Sequence, residues 1–375
     1  MTKSPSLYIK QLPQGLRNSL CHPGKLLGSY WRVSRWHKFV VCIIGLFVVL
    51  LGTMYGIARW YIVTESSKPL TLGVSFIPDY AQSLGLDPEQ TLTAIISDLH
   101  IKNIRFTSYW SDMEPTPGQY DFSQLDQEMQ QAQTAHVHAV VTLGLRQPGW
   151  PECHMPSWTQ NEPTSVWEPQ LNNFITVVVN RYKNSSSLQS WQVENEYFLK
   201  GFGVCTNFSR QRYVNEYNLV ARLDPHHTII IARSNNAWGI PVGQPQPSGE
   251  FSTTVYRRVW DANVTHRYLE YPFPAWWYAA MAGIEKIVTG RDLMIGEMEA
   301  QAWAPNNKTL TEISLGEQNK SFNAARLQNA FSFAKATSVR TIYMWGAEYW
   351  YYRLVIEHDP SVWNVAKHAF AQNGS

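Results

Sequence analysis

Between residues 70 and 375, short apolar runs and longer amphipathic runs take turns along the chain, and this alternation limits the fold more than any other feature. Strand-like segments fall near Thr71–Phe76, Asn103–Phe106, Ala139–Leu143, Ser190–Val193, Thr228–Ala232, Ser252–Tyr256, Leu293–Gly296 and Thr341–Trp345. Helical patterns lie between them. Leu92, Ile95, Ile96 and Leu99 share one face of Pro88–His100, and Phe174, Val177, Val178 and Tyr182 share one face of Leu171–Tyr182; Phe322–Ala336 and Ser361–Ala371 are similar. Parallel strands need a crossover connection, so strand–helix–strand alternation reads as βα units on a parallel sheet. Eight strands in about 300 residues predict an α/β chain closed into one (β/α)8 TIM barrel, residues 70–375. The Gly/Pro-rich stretch from Gly239 to Glu250 reads as a long loop over the barrel mouth.

The N-terminal part obeys different rules. Phe39 to Ala58 is a run of twenty residues without a charge. At about 1.5 Å per helical residue it spans roughly 30 Å, the thickness of a bilayer core. Arg32, Arg35 and Lys38 precede it, and Trp36, Trp60 and Tyr61 flank it as interface aromatics. The expected layout is a basic cytoplasmic tail (1–38), a transmembrane anchor in contact with membrane lipid (39–58), a juxtamembrane linker (59–69) and an extracytoplasmic barrel. A cleaved signal peptide fits less well: the segment before the run is long, the run exceeds the usual ~7–15 residues, and no Ala-x-Ala site follows. The net charge of +2 hides the same asymmetry, because residues 1–63 hold eight Lys/Arg and no acid, leaving 23 basic and 29 acidic residues beyond. No basic stripe with interleaved aromatics is present to suggest nucleic acid as a partner. The sequons at Asn184, Asn207, Asn263, Asn307 and Asn319 all fall in the expected outer portion.

In a barrel of this kind the active site forms at the C-terminal ends of the strands. Glu196 follows the fourth strand within Val193-Glu194-Asn195-Glu196-Tyr197, and Glu297 follows the seventh within Ile295-Gly296-Glu297-Met298-Glu299. The 101 residues between them match three βα units. Two carboxylates facing one bond are what glycoside cleavage needs: one protonates the leaving oxygen, and the other attacks or activates water. Each has a competitor two residues away, Glu194 and Glu299. Strand periodicity puts i and i+2 on one face, so periodicity alone does not choose between them. A structural salt bridge inside the barrel is the alternative use of such residues.

The stretch Ile104-Arg105-Phe106-Thr107-Ser108-Tyr109-Trp110, followed by Met113-Glu114-Pro115 and Gly118-Gln119-Tyr120-Asp121-Phe122, together with Asn195-Glu196 and the strand-end Glu297, resembles the clan A glycoside hydrolases. The similarity covers residues 70–370 or so, nearest to the cellulase-like (family 5 and relatives) and β-galactosidase-like branches. It implies an O-glycosyl hydrolase with a retaining mechanism, needing no cofactor and acting on an oligo- or polysaccharide. It gives Glu196 the acid/base position, Glu297 the nucleophile position and Asn195 a contact to the sugar 2-hydroxyl. Arg105 and Tyr256 are expected to hold Glu297 ionised. Trp345 is expected as a stacking platform, and Trp110, Trp150 and Trp303 as further sugar-binding surfaces, against the plainer reading that aromatics fill cores. Arg146 and Glu348, charged residues at strand ends, are expected to bind substrate hydroxyls or to pair with each other.

Cys153 and Cys205 lie in the loops after strands 3 and 4, neighbours in a barrel, and are expected to form a disulfide outside the cytoplasm. Glu152 and His154 bracket Cys153, but a zinc site needs three or four ligands and no second cluster appears, so no metal is expected. A transglycosidase would use the same residues. A catalytically inactive glycan-binding barrel would keep the tryptophans but would have no need of the carboxylate pair.

Overall fold

A computed structural model describes residues 35–197, 199, 202–234 and 247–372. The expected cytoplasmic tail up to residue 34, and residues 239–246 of the expected mouth loop, lie outside these. In chain order the elements are α1 (Arg35–Glu65), β1 (Thr71–Ser75), α2 (Pro78–Ser83), α3 (Pro88–Leu99), β2 (Asn103–Phe106), α4 (Trp110–Met113), α5 (Ser123–Thr134), β3 (His138–Leu143), α6 (Thr164–Tyr182), β4 (Leu188–Val193), α7 (Arg210–Leu223) and β5 (Thr228–Ala232). There follow β6 (Phe251–Val255), β7 (Arg258–Asp261), β8 (Arg267–Glu270), α8 (Ala275–Thr289), β9 (Leu293–Glu299), α9 (Leu315–Ser321), α10 (Ala324–Ala336), β10 (Thr341–Trp345), α11 (Ala347–Val355) and α12 (Ser361–Ala371).

The parallel strands close in the order β1-β10-β9-β6-β5-β4-β3-β2, the expected (β/α)8 barrel. Local chemistry sets its helices. Asp87 caps α3 by accepting from the Gln90 amide, with Pro88 in the first turn, and Leu92, Ile95, Ile96 and Leu99 are its buried face. Inside the barrel, Val140, Ile230, Met294 and Tyr343 make one packed layer. A Cβ on Gly73 would lie 2.8 Å from the Tyr343 ring, so glycine on β1 leaves room for that ring.

Two features depart from the expected strands. β9 continues past Gly296 to Glu299, and its register shifts against both neighbours: Thr253 pairs with Ile295 but Thr254 with Glu297, and Ile342 pairs with Ile295 but Met344 with Met298. The extra residue is a β-bulge, a device that re-aims a side chain. It works here because residue 296 is glycine, whose Cβ would fall 2.1 Å from Ser252 Oγ. The second departure is the antiparallel hairpin β7–β8, inserted between the sixth and seventh barrel strands.

Two compact units divide after Ile57. The described part of the first is residues 35–57, most of helix α1, which is the one candidate membrane span among the described residues; Ile43, Leu46, Phe47, Val48 and Val49 on it are exposed. The helix does not stop at Ala58 but runs to Glu65, so the first part of the expected 59–69 linker is helical. Ala58, Tyr61 and Glu65 on this last portion are buried, and residues 66–69 are exposed.

Candidate active site

The bulge on β9 turns Glu297 to face β2. Arg105 Nη2 donates to Glu297 Oε1 at 2.8 Å, and Tyr256 Oη, just past β6, donates to Oε2 at 2.8 Å. The Arg105 guanidinium is itself fixed, donating to Ser75 Oγ at 3.0 Å and to Gln192 Oε1 at 3.2 Å. Both acid and base of this pair are buried. In such a setting an ionised carboxylate is sustained only by paired, well-bonded partners.

Beyond Val193 the chain leaves β4 through two residues in left-handed backbone, Glu194 at φ 57° and Glu196 at φ 41°. That breaks the strand alternation, and the two side chains find different partners. Glu194 accepts from the Leu145 and Arg146 amides at 2.9 Å each and from Arg212 Nη1 at 2.7 Å. Its carboxylate fills the space over Gly144, where a Cβ would approach within 2.7 Å. Glu196 instead accepts from Thr254 Oγ1 at 2.7 Å. Burial first, and the nearby Glu297 charge second, push the Glu196 carboxyl up to about 7. Glu297 paired with Arg105, and Glu196 raised to about 7, have the unequal settings that acid–nucleophile chemistry requires.

Glu299, the other competitor, holds the hairpin. Its carboxylate accepts from the Arg257 and Arg258 amides at 2.7 and 2.8 Å and from Trp303 Nε1 at 2.6 Å.

A third buried carboxyl, Glu152, belongs to the same cluster. Asn195 Nδ2 lies 3.4 Å from Glu152 Oε2 and Arg146 Nη2 lies 3.5 Å from it. Burial raises Glu152 well above the usual carboxyl range, and the Glu297 charge adds to this. Sequence reasoning placed Glu152 only as a neighbour of Cys153. Gln192, whose Nε2 donates to Asn195 Oδ1 at 3.1 Å, and Thr254 were not singled out either. The three are joined to the site only by the closing of the barrel; the one signal in the sequence is that Gln192 and Thr254 lie close to strand ends.

Cys153 and Cys205 form the expected disulfide, across 52 residues. His154 stacks on Tyr109 with ring centroids 3.4 Å apart, and burial lowers it to about 4, so it is a neutral packing element.

The aromatic residues divide. Trp345 is half-buried at the end of β10, 5.9 Å from the Arg105 guanidinium, and Trp303 stands edge-on to Tyr256 at 6.0 Å. Trp150 is 72% exposed beside Phe202, farther out. Trp110 is fully buried: it packs against Trp158 and Phe174, and its Nε1 donates to Glu114 Oε2 at 2.6 Å, so it belongs to the core and offers no face to a sugar. Glu348 is also buried, accepting from the Ile77 amide at 2.6 Å, with burial lifting it to about 7. Arg146 donates to the Asn195 and Phe202 carbonyls at 2.8 and 2.7 Å, so Arg146 and Glu348 do not pair.

Residues 91–221 match the Glycosyl hydrolase family 10. No curated protein matches the sequence. Among solved structures, the barrel resembles a GH5_18 protein of Bifidobacterium longum subsp. longum in complex with Manb1-4GlcNAc, with TM-score 0.56 and 10% identity over 82% of this chain and 79% of that one. It resembles the β-galactosidase of the Antarctic haloarchaeon Halorubrum lacusprofundi, with TM-score 0.53 and 12% identity over 81% of this chain and 58% of that one. It also resembles a GH10 xylanase of Thermobacillus composti, with TM-score 0.52 and 14% identity over 82% and 98% of the two chains. At these identities the structural likeness speaks for the fold; the family match adds the class, a glycoside hydrolase on a clan A (β/α)8 barrel.

Proposed function

We propose that this chain, a glycoside hydrolase of the clan A barrel type, cleaves a β-linked glycan by a retaining double displacement with Glu297 as nucleophile and Glu196 as acid/base. The observation that supports it most is the unequal treatment of the two carboxyls. Glu297 is bonded to Arg105 and Tyr256, while Glu196 has Thr254 as its donor and is pushed up to about 7. In the first step the Glu297 carboxylate attacks the anomeric carbon as Glu196 gives its proton to the departing glycosidic oxygen. In the second, Glu196 takes a proton from water, and that water displaces Glu297 from the sugar. Asn195, set by Gln192, suits the 2-hydroxyl contact that strengthens in the transition state. Trp345 and Trp303 suit sugar faces near the reacting bond, and Trp150 one farther out. The β linkage is favoured by the Manb1-4GlcNAc bound in one of the similar structures and by another being a β-galactosidase.

Helix α1 would anchor the enzyme in a membrane, with residues 1–38 cytoplasmic and the barrel extracytoplasmic. The exposed apolar side chains of α1 and the disulfide of the barrel support this.

The test uses the full chain in detergent. Aryl β-glycosides and a panel of β-glucan, mannan, xylan and galactan are assayed for hydrolysis, and proton NMR follows the first anomer released. The expected result is a β-anomer, with activity lost in Glu196→Gln and Glu297→Gln on the polymers. An inverted product, or full activity in Glu297→Gln, would overturn the assignment.

A further inference from the structure

A cleft of about 640 Å³ lies between the β7–β8 hairpin and the segment 305–320. Its wall is cationic. Arg258, Arg267 and Lys308 line it, with His266 beside them. Among the described residues, neither Arg267 nor Lys308 has a carboxylate within ion-pair distance, and the acids nearby are already engaged. Glu317 is bound to Lys320 Nζ at 2.5 Å and Tyr268 Oη at 3.1 Å, Glu312 caps the Thr309 amide at 2.6 Å, and Glu270 is bonded to Arg326 at 3.0 Å. Arg258 reaches Glu270 only at 3.5 Å. Two donors in this wall, Arg258 Nε and Trp260 Nε1, are buried without any acceptor. Buried donors of this kind cost free energy until an acceptor is supplied, and an indole N–H can only donate.

The cleft is joined to the carboxylates through shared residues. Tyr268 Oη donates to the Trp303 carbonyl at 3.2 Å, and Trp303 stands against Tyr256, the partner of Glu297. A smaller cavity of about 270 Å³ lies on the same side, lined by Tyr80, Gln301, Trp303 and Lys308. It too holds buried polar atoms without partners, Tyr80 Oη and Gln301 Oε1. A chain of sugars running from Glu297 past Trp303 would meet neutral hydrogen-bonding groups first and the cationic wall next, with Lys308 common to both.

We propose that the hairpin cleft binds an acidic substituent of the glycan, a uronate carboxylate or a sulfate ester, so that the enzyme selects anionic polysaccharide. Planar guanidinium groups match either oxyanion. The assignment rests on the glycoside hydrolase reading above and specifies its substrate class.

Binding is measured on the full chain in detergent with β-1,4-linked tetramannuronate, a chondroitin sulfate tetrasaccharide, neutral cellotetraose and inorganic sulfate. Charge-assisted bonds of this kind are worth about a tenfold preference or more. The expected result is that both acidic tetrasaccharides bind about tenfold tighter than cellotetraose. Their affinity should weaken with added salt, disappear in the double variant Arg267→Glu/Lys308→Glu at an unchanged unfolding midpoint, and persist in Glu297→Gln. Equal affinity for the neutral sugar, or acidic binding that survives the double variant, overturns the proposal. Inorganic sulfate binding as tightly as the saccharides would mark a bare anion site and overturns it. Hydrolysis of a small aryl glycoside reports the carboxylates separately. Its loss with acidic binding retained would count against the catalytic reading alone, and the reverse against the cleft alone.

Discussion

Glu194 and Glu196 stand two residues apart, yet Glu194 is clamped by two backbone amides and Arg212 while Glu196 is bonded to Thr254. The first is tied into the scaffold, and the second has the proposed acid/base role. Removing one member of a buried charged cluster leaves the other uncompensated, at a cost of about 3–5 kcal/mol. Glu194→Ala is therefore expected to lose about 3 kcal/mol of unfolding free energy, towards the low end because Arg212 keeps Glu216. At acid pH, Glu196→Gln is expected to match the parent in stability and to lose hydrolysis of polysaccharide. Urea unfolding of both variants, beside their rates, separates the two roles.

The Glu196 carboxyl, raised to about 7, gives a direction for pH. Activity that depends on its proton should fall as pH rises through about 7. An aryl glycoside whose leaving group needs no protonation should lose that alkaline limb in its first step, and Glu196→Gln should retain most of that step's rate. Because the folded value lies above the unfolded one, the stability Glu196 contributes is fully present below its ordinary value and lost as pH rises through about 7. Glu196→Gln should accordingly gain thermal stability over the parent at alkaline pH and show no gain in acid. Profiles of kcat/KM and of the unfolding midpoint against pH check both statements.

Gly296 and Ser252 compete for one space. Gly296→Ala brings a Cβ to 2.1 Å from Ser252 Oγ, so either that hydroxyl turns away or the strand that carries Glu297 shifts. A loss of both stability and kcat is expected, on the order of 1–3 kcal/mol for the overpacking. Ser252→Ala removes the oxygen, so the double variant should recover much of what the single one loses. Additive single effects in a double-mutant cycle would sink the idea.

Reducing the Cys153–Cys205 bond opens a loop of 52 residues. Loop-closure entropy puts its contribution at about 4 kcal/mol. The double serine variant, and the parent in reductant, should unfold at matching lower denaturant concentrations. Glu152 lies next to this bridge and contacts Asn195 at 3.4 Å, so KM for polysaccharide is expected to rise as well.

The barrel was legible because its strands are short apolar runs set off by amphipathic helices, a pattern fixed by local burial. Three features escaped because they depend on distant partners. The bulge at Gly296 packs against Ser252 on the next strand, and its one local mark is an isolated glycine in the strand run. The hairpin Arg258–Glu270 is secured by Glu299, a residue the sequence offered as a second nucleophile. Trp110 looked like a sugar platform by position, but Trp158 and Phe174, far along the chain, enclose its ring. Strand periodicity did not separate Glu194 from Glu196, though the resemblance favoured Glu196; left-handed backbone at both residues is what sends their side chains to different partners.

The last turns of α1 have a consequence for any shed form of the protein. Residues 66–69 are the exposed stretch where a protease would cut, but Ala58, Tyr61 and Glu65 before it are buried. A fragment released there would leave part of its own interior behind. Such a fragment would tolerate heat and denaturant less well than the full chain.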